Sequence, residues 1–492
     1  MISSLLTSNT PASAFTPVEP YRGIPPLAGL ADFSSAVRPG LSVEECVTRL
    51  KRFHYMMKRL AEVFTAHVAD EPVYELKMAF SLHAHLFAEH VGALRNRVAE
   101  MREPPLGLDK TPHTGLAVLM DEILATESTF ERLSAIYGLV MPALEEAITK
   151  YTAETHPLAD HPSIRILRYV LLDLADVRKF GEQAVSAFQS KTADEESTDW
   201  MRLLDVAIIA AGGIDGSAGT KSDGDIHRHY SSSGYRYNPA PKRDERFQDL
   251  DNQGVNPEVF LHEDNRPLDA KVLMLYFKRI REIDVPEMIA SIVIQDGAKH
   301  PWDYSRDLIR QMWDEARHAM MGEVGFRDLG LNWAELTRIN HTFSLNLNTR
   351  IGPKERHAVL YFIEQGLMPK TGKRFEWEVA TQSEVPLAAT FQDFDWADEV
   401  LHARIGRTWL LPQFSSTEEA LKVGEEEMWK QLRNCYNESL AAGKTNHENW
   451  WPTYYSAYCQ KYGKMPDPEA LAYNRSYQPG GVEVEDVIPT SA

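Results

Sequence analysis

The sequence predicts an all-α protein of two helical bundles, the second a four-helix bundle built around a dinuclear metal site. Three observations predict it. Apolar residues recur at helical spacing from Ser42 to about 190 and again from about 269, with proline-bearing breaks between the runs. One acidic motif occurs twice, as Asp314-Glu315-Ala316-Arg317-His318 and Asp398-Glu399-Val400-Leu401-His402. A lone glutamate precedes each copy by one helix and a turn, Glu287 before the first (315 − 287 = 28) and Glu364 before the second (399 − 364 = 35).

Taken in order, residues 1–40 are rich in Pro, Ser and Thr and read as an irregular arm. Residues 41–190 read as a first bundle of four long helices, roughly 42–68, 71–102, 112–150 and 162–190. Ser42 followed by Glu44 and Glu45 is a helix start, and the breaks fall at Asp70-Glu71-Pro72, Pro104-Pro105 and His156-Pro157 to His161-Pro162. His83 and His90 share a helical face there, but Phe87 stands where a Glu-x-x-His pair needs glutamate, and Glu127 and Asp173 are isolated. This bundle therefore lacks a complete metal motif, and its histidines read as core or interface residues.

A segment of different character, 191–268, reads as an insert or linker. Its apolar run from Trp200 to Ala211 suits a helix or a buried strand. The glycines after it, from Gly212 to Gly224, lack the spacing and strand–turn–helix setting of a phosphate loop. The second bundle occupies 269–415, with helices expected at about 269–295, 303–325, from near Pro353, and 393–411. Pro286 either opens a fresh helix after Asp284 or kinks a continuous one. Nearly thirty residues cross from the second helix to the third. In 416–492, Ser416-Thr417-Glu418-Glu419 is a capping box opening a helix to about 443. The aromatic residues Trp450, Trp451, Tyr454, Tyr455 and Tyr458 then read as the seal of a core edge.

The motif pair carries the chemistry. On a helix, residues i and i+3 project from one face, so each Glu-x-x-His aims a carboxylate and an imidazole at the same point. Two such pairs plus one glutamate from each of two further helices make the ligand set of dinuclear carboxylate bundles. The predicted metal ligands are Glu287, Glu315, His318, Glu364, Glu399 and His402, with Asp284 as an alternative to Glu287 one turn away on the same face. Carboxylate and imidazole suit iron and manganese alike. Without cations, converging carboxylates would repel, and some would stay protonated. Asp314 and Asp398 are placed to accept the second ring N–H of the ligand histidines. Tyr361, Trp396 and His357 lie one or two turns before a ligand glutamate and are candidates for lining a pocket.

Composition narrows the class. A net charge of −19 argues against broad phosphate-backbone binding. Cys46, Cys435 and Cys459 are widely spaced and odd in number, with neither a disulfide framework nor a zinc pattern. They suit a reducing cytoplasm. No run approaches the apolar length of a membrane span, and residues 1–20 lack the basic start of a secretory signal.

The arrangement Glu287…Asp314-Glu315-x-x-His318…Glu364-Gln365-Gly366…Asp398-Glu399-x-x-His402 resembles the ferritin-like superfamily of non-haem di-iron proteins. In texture it is similar to a bacterial ferritin-like family of unassigned function, around Glu287-Met288-Ile289-Ala290 and Phe362-Ile363-Glu364-Gln365-Gly366. The resemblance covers the second bundle. It implies two bound metals, iron first and manganese or a mixed pair as alternatives, with Glu315 and Glu399 bridging. It further implies an oxygen-dependent oxidoreductase that hydroxylates, desaturates or N-oxidises a small molecule. Dioxygen, that substrate, a separate reductase and a second copy of the chain are the expected partners. Iron storage or ferroxidase work, and a metal-free helical scaffold, are the alternatives.

Overall fold

The structure, a computed structural model, describes residues 20–101, 107–188, 195–220, 226–247, 255–337, 339, 341–443 and 449–476. Among them every regular element is helical and no strand occurs. No helix is long and apolar enough to cross a membrane. The chain divides into two compact units, neither a continuous stretch. The first takes residues 1–56, 93–119 and 130–227; the second takes 57–92, 120–129 and 228–492. The division thus differs from the sequence expectation: the first unit runs on to His227, and residues 57–92 belong to the second.

Helices α1 (Val43–Asp70) and α2 (Tyr74–Glu100) supply both units. Ser42 caps α1 reciprocally: its hydroxyl accepts from the Glu45 amide at 3.2 Å, and Glu45 accepts from the Ser42 amide at 2.8 Å. The single helix expected over 112–150 is broken into α3 (Thr114–Ala125), a short turn of helix at Thr129–Leu133, a π-helical stretch at Ser134–Val140 and α4 (Met141–Glu154). The break falls at Thr126-Glu127-Ser128. Thr129 donates its hydroxyl to Glu71 at 2.9 Å.

In the first unit follow α5 (His161–Phe188) and α6 (Glu195–Ala210), so the apolar run around Trp200 is helical. Gly212 and Gly213 end α6 with φ of +71° and +82°. The buried Arg52 donates to the carbonyls of Ala211, Gly213 and Ile214 in the turn that follows the helix. Of the predicted N-terminal arm, residues 20–40 form short turns and a four-residue helix capped by Asp32, while 1–19 lie outside the described residues.

The second unit holds α7 (Leu268–Ile280), a 3₁₀ turn at Arg281–Ile283, α8 (Asp284–Asp296) and α9 (Trp302–Asp328). Pro286 is the third residue of α8, and the chain keeps αR dihedrals from α7 through the 3₁₀ turn into α8 without an extended cap. Next come α10 (Thr342–Arg350), α11 (Pro353–Gly366), α12 (Lys373–Gln382), α13 (Pro386–Trp409), α14 (Thr417–Ala441) and α15 (Trp451–Lys461). The sequence reading had no α12, and α13 begins earlier than expected. Helix α9 packs on α7, α8 and α13, α11 packs on α8, α13 and α14, and α12 on α7 and α13.

Small residues set the closest approach. A Cβ on Gly322 of α9 would sit 2.4 Å from the Ile280 amide and 2.6 Å from the Tyr276 carbonyl, so α7 and α9 meet backbone to backbone. The aromatic residues after 450 are buried and close this core: Trp450 stands 4.4 Å from Phe277, and Tyr454 stacks on Phe326 at 4.2 Å. Residues 477–492 of that tail lie outside the described residues.

Candidate metal centre

Helices α9 and α13 carry the two Glu-x-x-His pairs and turn them toward each other. Two groups of potential ligands result. Position A comprises Glu282, His318, Asp395 and Glu399; position B comprises Glu315, Glu364, Glu399 and His402. Within each group, one ligand atom from every residue lies within 4.8 Å of the others. Glu399 belongs to both. Glu315 also faces both ways, with Oε1 3.1 Å from His402 Nδ1 and Oε2 3.5 Å from His318 Nδ1. His318 Nδ1 lies 3.5 Å from Glu282 Oε2 and 3.5 Å from Asp395 Oδ1. His402 Nδ1 is 3.6 Å from Glu399 Oε2 and 3.8 Å from Glu364 Oε1.

Of the six predicted ligands, five come together: Glu315, His318, Glu364, Glu399 and His402. Glu287 does not, and neither does its alternative Asp284. The Glu287 carboxylate is fully buried elsewhere, accepting from Lys77 Nζ at 2.9 Å, Arg243 Nε at 3.1 Å, Arg243 Nη2 at 2.9 Å and Ser344 Oγ at 3.2 Å. Asp284 pairs with the same Arg243. The carboxylate that reaches the centre is Glu282, on the 3₁₀ turn before α8. At about 100° per residue, five positions rotate a side chain by about 140° around the axis, so Glu282 and Glu287 serve different faces. Distance along the chain led to Glu287, and the structure places Glu282 rather than Glu287 in the cluster.

The second ring nitrogens are held crosswise. His318 Nε2 lies 3.2 Å from Asp398, and His402 Nε2 lies 3.5 Å from Asp314, so each motif's aspartate serves the other motif's histidine. Arg317 bridges the two aspartates, donating to Asp314 and, at 2.8 Å, to Asp398. Burial would raise the Asp314 carboxyl, but His402, Arg310 and Arg317 outweigh it and hold the group well below the ordinary carboxylate range. An ionised aspartate only accepts, so His402 Nε2 carries the hydrogen and Nδ1 is left to point inward.

The inward-facing atoms share a property rare in a protein interior. His318 Nδ1, His402 Nδ1, Glu282 Oε2, Glu364 Oε2 and Glu399 Oε2 are all buried and face one another without a well-aligned hydrogen bond, the shortest approach being His402 Nδ1 to Glu315 Oε1 at 3.1 Å. Their ionisation shows the strain of this crowding. Burial, then the charges of Glu399 and Glu315, push the Glu364 carboxyl far up, and burial lifts Glu282 to about 7. Lys373 and His402 hold Glu399 down against its burial. Nearby carboxylates lift His318 to about 10 despite its burial. The cluster balances itself with protons, which divalent cations would displace. Its donor set of carboxylate oxygens and imidazole nitrogens fits a pair of iron or manganese ions.

Sequence reasoning missed five residues here. Glu282 and Asp395 complete position A; Asp395 stands one turn before Glu399, a spacing the sequence displays. Gln311, one turn before Glu315, donates to Glu364 at 3.0 Å. Lys373 Nζ lies 2.9 Å from both Asp395 oxygens and 2.9 Å from Glu399 Oε1. Arg279 donates to Asp395 and lies 2.9 Å from Glu282. None of the pocket candidates belongs to either group. His357 is buried beside Tyr304 at 6.1 Å, Tyr361 packs against Gly406, and Trp396 pairs with Trp377 at 5.7 Å. His83 of the incomplete motif stands edge-on to Phe64 at 5.2 Å, inside the core. No family model, curated protein or solved structure matches the chain.

Proposed function

We propose that this chain is a ferritin-like non-haem dinuclear metalloprotein, most simply di-iron, acting as an oxygen-dependent oxidoreductase on a small molecule. One observation carries the reading: two groups of four buried or half-buried carboxylates and imidazoles, drawn from separate chain segments and sharing Glu399, each bring one ligand atom per residue within 4.8 Å of the others. Unsatisfied buried polar groups are costly, and such a concentration is explained by a partner that accepts from all of them at once.

In this reading Glu282, His318 and Asp395 hold one ion, and Glu315, Glu364 and His402 the other, with Glu399 shared. When bound, a reduced di-iron pair supplies the electrons and open positions for dioxygen activation. Asp314 and Asp398 fix the imidazole tautomers, and Gln311 donates to Glu364 Oε1, the oxygen nearest His402 Nδ1, and so orients that carboxylate. Burial of Glu315, Glu364, Glu399 and His402 keeps bulk water off the donors. Insertion of one oxygen atom into a C–H or N–H bond consumes dioxygen, two electrons and two protons and returns one water. The electrons would come from a separate reductase or from the substrate itself.

The test is anaerobic loading with ferrous iron, counting metal per chain, followed by oxygen uptake. About two irons are expected, and joint replacement of Glu315 and His318 by alanine abolishes stoichiometric loading. Two tightly held irons in that variant would overturn the proposal. Growth of a mineral core without substrate would turn it toward iron storage.

A further inference from the structure

The two positions are not equivalent, and the difference is a lysine. Lys373 is fully buried at the first residue of α12. A cation is disfavoured at that helix end by the dipole, so its place there is held by carboxylates. Its ammonium contacts both oxygens of Asp395 and Oε1 of Glu399 at 2.9 Å, and Glu282 lies 3.7 Å away. All three carboxylates of position A therefore face this one ammonium. Arg279 adds a second buried cation on Asp395 and Glu282. Position B has no such occupant: no lysine or arginine contact is found for Glu315 or Glu364 among the described residues, and Glu399 turns Oε2 toward His402. Glu399 thus already joins a cation on one side to a ligand cluster on the other.

Resting on the dinuclear reading, we infer that position B takes the first metal ion tightly, and that Lys373 is a tethered cation at position A which a second ion must displace. Charge decides the order. Each position offers three carboxylates, Glu399 being counted in both, but at A two fixed positive charges already offset them. Loading of A then requires the Lys373 side chain to release Asp395 and Glu399.

The experiment is a titration of the full chain with Mn(II), free ion being read by electron paramagnetic resonance, for the wild type and for Lys373→Met, His402→Ala and His318→Ala. The wild type is expected to bind one ion tightly and a second at least tenfold more weakly. Lys373→Met tightens the second at least tenfold. His402→Ala removes the tight ion, whereas His318→Ala keeps it. Equal affinities in the wild type, an inequality that Lys373→Met leaves unchanged, or loss of the tight ion in His318→Ala would each overturn the inference while the wild type still binds two ions. Absence of any stoichiometric ion in both wild type and Lys373→Met would instead overturn the dinuclear reading itself. Should circular dichroism show Lys373→Met unfolded, the two histidine variants decide the question.

Discussion

Replacing Glu287 by alanine separates the two roles its carboxylate could play. In the structure it is fully buried and accepts from Lys77 and Arg243, each with a side chain about 1% exposed. Removing one partner from a buried ion pair costs about 3–5 kcal/mol, because the remaining charge loses its compensation. Arg243 keeps Asp284, and Lys77 keeps hydrogen bonds to the Val68 and Ala69 carbonyls, which places the expected loss near the lower end, about 3 kcal/mol. Urea unfolding followed by far-ultraviolet circular dichroism measures it, with Glu287→Gln as a milder companion. At saturating cation the same variant still holds two ions. Glu282→Ala differs in its effect on the ions: Arg279 loses this carboxylate but keeps Asp395, so stability falls by about 1–3 kcal/mol while one ion is lost. The reasoning is refuted if Glu287→Ala keeps its stability but loses an ion and Glu282→Ala retains both.

Three further outcomes follow from contacts described above. Asp398→Asn should weaken metal affinity about 10- to 100-fold, through His318 on the opposite helix rather than through its own motif's His402; nuclear magnetic resonance of the two imidazoles distinguishes which ring is released. Gly322→Ala should cost about 1–3 kcal/mol by forcing α7 from α9, and should lower cation affinity through the displaced Glu282; Gly138→Ala, which meets nothing within 4 Å, is the control. Burial depresses His83 to about 3 and His357 to about 4, against about 6.5 in the unfolded chain. Between those values the unfolded state binds the extra proton, so stability is complete above pH 6.5 and declines as pH falls, by about 1.4 kcal/mol per pH unit for each histidine. His83→Met or His357→Met should flatten the pH dependence of urea stability between pH 6 and 5 by that amount, and an unchanged slope would count against the burial argument.

Much of the centre was legible because helical phase is rigid over three residues. Glu315 with His318, and Glu399 with His402, could not fail to share a face once their segments were helical. Helix starts were legible for the same local reason at Ser42 and Ser416, where the hydroxyl and the following glutamate make their own hydrogen bonds. Glu282 was hidden because the choice of Glu287 rested on distance along the chain, which does not fix the side a carboxylate faces, and the chain passes through a 3₁₀ turn just there. Lys373 was hidden differently. Within Lys370-Thr371-Gly372-Lys373 it reads as a solvated turn residue, and only the packing of α12 on α13 buries it against Asp395. The break in 112–150 was missed because apolar periodicity persists on both sides of Thr126-Glu127-Ser128.

The crossed pairing of aspartates with the opposite histidines makes the two motif helices a single mechanical part. A helix bearing Asp314 to His318 transplanted alone into another scaffold would present an imidazole with nothing to set its orientation, and would leave its aspartate facing Arg310 and Arg317 only. The smallest portable unit is the pair, and rotation of either helix about its axis misaligns the ligand borne by its neighbour as well as its own.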